Sequence, residues 1–240
     1  MQINETEAVQ GQQPEEPLQA DSQDQPQMSK FEKIKALTSL VGAECRRDPK
    51  YVICFLGAAI VRLMAVLFST FLLLWITSFV DDGIIATEQE SKTLYQKVIL
   101  ASTIATIFLL PILGHLGDKV PSAVIIPIAF TLRGLCGLSF MWMNDPQSVI
   151  SMTLCCLLII MTVVESVSIE VLFMRGMPRA IRGTMASVMA FFGLLGTLVF
   201  TLVGGQLFDR IDKSAPFVFL ASMDFLLVII AMGLISIGNF

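Results

Sequence analysis

The sequence predicts an all-α membrane protein: a bundle of six transmembrane helices with both termini on the cytoplasmic side. Three observations carry that prediction. The 240 residues are 55% hydrophobic and only 15% charged, with a mean hydropathy of +0.75, whereas a soluble domain averages about 45–50% apolar and 25% charged. The apolar residues gather into six runs, each near the roughly 20 residues that cross about 30 Å of hydrocarbon at 1.5 Å per residue. The basic residues between the runs fall mainly on one side.

The elements follow in order. Residues 1–28 carry Glu5, Glu7, Glu15, Glu16, Asp21 and Asp24 and no Lys or Arg. Such a segment buries too little apolar surface to offset its ordering entropy, which predicts a disordered acidic, Gln-rich tail. It has no apolar core of a cleavable signal peptide, so insertion is expected to be directed by the first span. Residues 29–50 form a cytoplasmic linker. Ser29-Lys30-Phe31-Glu32 has the capping-box pattern, and Phe31, Ile34, Leu37, Leu40 and Val41 follow at helical spacing, with Lys30, Lys33 and Lys35 off that stripe. This predicts a short amphipathic helix against the membrane or the bundle; a frayed linker helix is the plainer alternative. Residues 51–240 hold the six-span bundle, with spans at 51–79, 98–116, 122–142, 149–173, 184–207 and 216–237. Connections are short except for residues 80–97, which hold Asp81, Asp82, Glu88, Glu90, Lys92 and Lys97.

Orientation follows from Lys and Arg near the span ends. Lys30, Lys33, Lys35, Arg46, Arg47 and Lys50 precede the first span, Lys119 follows the second, and Arg175, Arg179 and Arg182 lie between the fourth and fifth. With six spans these segments share the cytoplasmic side. On the other side Asn144-Asp145-Pro146 has no basic residue, and Arg210 and Lys213 are offset by Asp209 and Asp212.

The second span ends in Gly114-His115-Leu116-Gly117-Asp118-Lys119. A Gly, three residues, an Asp and a basic residue at this loop resemble the cytoplasmic signature of the major facilitator superfamily. The family pattern continues with a Gly and a basic pair, where this chain has Pro121 and Ser122-Ala123. A second resemblance runs through Pro178-Arg179-Ala180-Ile181-Arg182-Gly183-Thr184, then Gly193, Gly196, Gly204, Gly205 and Asp209, similar to the eleventh span of such carriers. The likeness covers roughly residues 46–240 and implies the C-terminal six-helix half, spans seven to twelve, preceded by part of the central cytoplasmic loop. It implies a secondary active transporter moving a small-molecule substrate by alternating access between two six-helix bundles, with a coupling proton or ion as a further partner. The second bundle is then expected from another chain, a homodimer or an upstream part of the gene.

Residue types suggest roles within that frame. Gly114 is expected to allow close helix approach. Asp118 and Lys119, with Arg182 at the start of the fifth span and Glu170 near the end of the fourth, form a candidate cytoplasmic gate, because a helix N-terminus favours an anion. Gly193, Gly196, Gly204 and Gly205 are candidate packing positions. Ionisable groups within spans are costly and are functional candidates by default. Arg62 lies about 17 Å and Glu165 about 12 Å from the cytoplasmic ends of their spans at helical rise. The resemblance places both spans along the pathway, which makes Arg62 and Glu165 candidates to bind substrate, a proton or each other; a buried pair fixing helix register is the competing role. Arg133 and Asp224 lie at similar depth in the third and sixth spans, which the resemblance makes peripheral, so a structural ion pair is expected. Trp75 and Trp142 sit towards the outer span ends, where aromatic belts form.

The same residues argue against other classes. Cys45, Cys54, Cys136, Cys155 and Cys156 form no CxxC pair, and His115 is the only histidine, so neither a metal site nor a cofactor is expected. No nucleophile–base constellation or phosphate-binding glycine loop suggests an enzyme, and no nucleic-acid partner is indicated. The competing reading is a non-transporting six-span partner or scaffold subunit. A polar cavity holding Arg62 and Glu165 would favour the carrier, and a dry, filled bundle the partner.

Overall fold

A polypeptide crossing hydrocarbon must satisfy its backbone polar groups internally, so apolar runs of this length become helices. A computed structural model describes residue 39, residues 41–175 and residues 182–236, apart from the side chains of residues 116–118, 122 and 175. The acidic tail and the start of the linker lie outside the described residues.

Among the described residues six helices are long and apolar enough to span a membrane. They are α1 (Lys50–Asp81), α2 (Glu88–Lys119), α3 (Ser122–Ser139), α4 (Val149–Arg175), α5 (Arg182–Arg210) and α6 (Ala215–Ser236). Among the described residues there is no strand. Residues 41–47 are helical and precede α1, and Val41 and Cys45 pack against the apolar cluster at its start. Burial there, with Glu44 nearby, pushes the Cys45 thiol up from its ordinary pKa.

The helices alternate in direction. Lys213, after α5, contacts Asp82 at 2.8 Å, after α1, and donates to the Ser78 carbonyl. Gln147, after α3, donates to Glu90 at the start of α2 at 3.3 Å. The connections after α1, α3 and α5 therefore share one end of the bundle. At that end the Ser214 hydroxyl and amide hydrogen-bond Asp212 and hold its carboxyl below the usual carboxylate range.

The structure departs from the sequence reading in three places. The long polar connection expected over residues 80–97 is mostly helix, because α2 begins at Glu88. Thr87 caps it by accepting from the Glu90 amide at 3.2 Å, and the Glu90 carboxylate accepts from the Ala86 amide at 3.3 Å. This is a variant of the capping box, with the carboxylate reaching the amide just before the cap residue, and it starts α2 ahead of the apolar run. The second departure is in α1, which ends at Gly83 with φ +72°, a left-handed stop, and contains a π-helical segment, Leu67–Phe71. The Tyr95 hydroxyl of α2 donates to the Phe68 carbonyl there at 3.1 Å, satisfying backbone that a π segment displaces. The third is Trp75, which is buried rather than sitting in an interfacial belt: it lies edge-on to Phe79 and Phe140, each with ring centroids 5.0 Å away. Trp142, by contrast, is exposed.

Glycines set the closest approaches. A Cβ at Gly137 would lie 3.1 Å from the Ala221 Cβ and 3.3 Å from the Phe217 carbonyl oxygen, so α3 and α6 pack backbone to backbone. On α5, Gly193, Gly196 and Gly204 meet Arg62, Leu63 and Phe71 of α1 in turn. At Gly205 and Gly114 an added Cβ would meet nothing within 4 Å; neither supplies the close packing expected of it, because each faces away from its neighbours. Gly137→Leu is therefore expected to destabilise the bundle by about 1–3 kcal/mol through overpacking, while Gly205→Ala stays within about 0.5 kcal/mol of wild type; thermal unfolding in detergent compares the two.

Candidate functional site

Two apolar clusters fill the bundle, and a charged layer separates them. Along α3, Phe130 belongs to one cluster and Cys136 to the other, with Arg133 between them. Along α4, Glu165 lies between Leu158 and Ile169; along α6, Asp224 lies between Leu220 and Leu227. Arg133, Glu165 and Asp224 are all 0% exposed, and they meet.

The guanidinium joins the three helices. Arg133 Nε donates to Asp224 Oδ2 at 2.9 Å, and Nη2 donates to Asp224 Oδ1. This two-bond fork is the geometry that favours Arg over Lys at a carboxylate. Arg133 Nη1 faces Glu165 Oε2 as an ion pair. The contact lacks hydrogen-bond geometry, and neither Glu165 oxygen receives a hydrogen bond among the described residues. The Phe130 ring lies 5.1 Å from the guanidinium carbon, within cation–π range.

The structure therefore brings Arg133 and Asp224 together and adds Glu165 to them. Glu165 does not meet Arg62, because it points into the α3–α4–α6 core while Arg62 projects from α1 over α5. The Arg62 side chain crosses Gly193 so closely that a Cβ there would collide with the Arg62 Cδ.

Arg62 instead shares a different feature with Glu170. Both are exposed, and both line a pocket of about 160 Å³ with Ala58, Ser166, Ile169 and Met189. That space admits several waters. No ion pair within 4 Å closes Arg62 or Glu170 among the described residues. The sequence pairs Arg62 with Glu165 by depth rather than with Glu170; the signal for Glu170 is its spacing of four residues from Ser166, which puts both on one stripe of α4. A second crevice, of about 250 Å³ between α1, α5 and α6, is apolar and includes Leu56, Leu63, Gly196, Phe200 and Met223.

The candidate gate is described in part. The Asp118 side chain lies outside the described residues, and with it the expected latch to Arg182. Lys119 and Arg182 are exposed. Among the described residues no group of three His, Cys, Asp or Glu side chains is placed to hold a metal ion.

No family model, curated protein or solved structure matches the chain.

Loss of the guanidinium leaves two buried carboxylates facing each other. Arg133→Met is expected to cost about 3–5 kcal/mol, the penalty for breaking a buried pair, and replacing all three residues by apolar ones of similar volume recovers most of it. Unfolding in mixed micelles measures both. An Arg133→Met variant as stable as wild type would remove the cluster from its structural role.

Proposed function

We propose that the chain is a six-helix half of a secondary transporter, resembling the C-terminal half of a major facilitator carrier. In this reading it moves a small solute by alternating access against a second six-helix bundle. The observation that supports it most is the pocket shared by Arg62 and Glu170. A charge exposed to lipid at the middle of a span costs at least about 2.5–3.5 kcal/mol, so such residues usually face a protein interior or water. Two opposite charges and Ser166 on adjoining faces of α1 and α4 fit the wall of an aqueous path better than a lipid-facing surface.

Two further features support a missing partner bundle. The helices α2 and α5 are the least buried of the six. They present Ile107, Phe108, Leu194 and Leu198, each at least 60% exposed. The loop of Gly114, Asp118 and Lys119 supports the specific half. Under this reading Arg62 and Glu170 contact solute or water during transport, Asp118, Lys119 and Arg182 bias the closed state, and both termini are cytoplasmic.

The non-transporting partner subunit is the second reading, favoured by the dry packing around Arg133. Water access separates the two. With Cys45 and Cys156 replaced by Ala, Ser166→Cys in a bilayer is expected to react with a membrane-impermeant thiol reagent, since attack requires a solvated thiolate. Ile128→Cys, on the exposed apolar face of α3, is expected to stay unlabelled. If neither site is labelled, the face is dry and the carrier reading fails.

A further inference from the structure

The charged layer holds one guanidinium and two carboxylates. If all three ionise, the cluster carries a net charge of −1 at a place where each residue is 0% exposed. Among the described residues the ion pairs within this layer are those of Arg133 on α3 with Glu165 on α4 and with Asp224 on α6. The clusters on either side are apolar, and among the described residues no second cation lies within 4 Å of either carboxylate. The Arg62 pocket is lined by Ser166 and Ile169 and not by Glu165.

An uncompensated charge in such a setting costs several kcal/mol even after relaxation. One proton removes it. The geometry also distinguishes the two carboxylates. Asp224 receives both bonds of the Arg133 fork, from Nε and Nη2, which suits an ionised acceptor. Glu165 faces only the remaining guanidinium nitrogen, Nη1, and among the described residues neither of its oxygens accepts a hydrogen bond of good geometry. A neutral carboxyl there leaves one polar group unpaired at about 1–3 kcal/mol, less than the cost of an unpaired buried charge.

We propose that the Arg133–Glu165–Asp224 cluster is a proton-binding site, with one proton resident on Glu165 in the state of the structure. No other bond forms or breaks. The cluster is neutral when occupied, and release of the proton requires water or a cation to reach Glu165. The site is separate from the Arg62 pocket and holds whether or not the chain transports a solute.

Infrared spectroscopy of the full chain in a lipid bilayer tests it, because a protonated carboxyl gives a carbonyl-stretch band distinct from that of a carboxylate. At pH 7 wild type is expected to show one such band, shifted by carbon-13 carboxyl labelling of glutamate and unmoved by the same labelling of aspartate. This arm needs no substitution. Glu165→Gln, a near-isostere of the neutral acid, is expected to lose the band. Asp224→Asn is expected to lose it too, because one carboxylate then balances one guanidinium. Absence of the band in wild type, a shift with labelled aspartate, or persistence in either variant overturns the assignment.

Discussion

A single guanidinium at the centre of an apolar bundle constrains much of this fold. Arg133 holds Asp224 by a fork of two hydrogen bonds and faces Glu165, so α3, α4 and α6 are tied at one level. The attraction is not in itself a net gain in stability, since desolvating buried charges costs as much as their pairing returns unless the geometry is good. Its effect is positional. A one-turn slip of any of the three helices would strand a charge in hydrocarbon, which is far more costly than misplacing a Leu. The apolar clusters above and below the layer, around Trp75 on one side and Phe130 on the other, pack in the register that this layer fixes.

The same bundle treats charge in two ways. Around Arg133 the charges are enclosed and matched to one another. On the α1–α4 face, Arg62 and Glu170 stand exposed around a small polar pocket. A protein that needed only packing could place all its intramembrane charges in the first manner. The exposed pair gives the α1–α4 face a polar patch, while the thinly buried α2 and α5 present apolar side chains. The outer face of α3 and α6, with Ile128, Leu132, Ile229 and Met232 exposed, carries no charged side chain and is interrupted only by hydroxyls such as Thr131. The proposed carrier reading rests on that asymmetry, and the glycine path of α5 across α1 seats Arg62 over Gly193.

Much of the architecture could be read from the sequence, for identifiable reasons. Contiguous apolar length gives the six spans because bilayer thickness imposes it. The depth of Arg133 and Asp224 in spans three and six put two opposite charges at one level. Sequence spacing alone could not assign partners: Glu165 and Arg62 lie at comparable depths, and only side-chain direction decides that Glu165 turns inward to Arg133 while Arg62 turns out. The start of α2 was obscured for a different reason. Hydropathy registers where the membrane begins, whereas the Thr87–Glu90 capping box sets where the helix begins. The π segment in α1 leaves no compositional mark, since it depends on Tyr95 reaching Phe68 from another helix. Trp75 reads as interfacial from its depth along one helix, because that depth carries no sign of the Phe140 and Phe217 that enclose it.

The central claim is that this bundle separates a wet charged face from a dry charged core and an apolar lipid face. Hydroxyl-radical footprinting of the full chain in lipid nanodiscs tests all three surfaces at once, because methionine oxidises where water delivers the radical. The account predicts oxidation at Met189, which lines the Arg62 pocket, with protection of Met64 in the core and of Met232 on the outer face of α6. Protection of Met189 alongside oxidation of Met232 would contradict it.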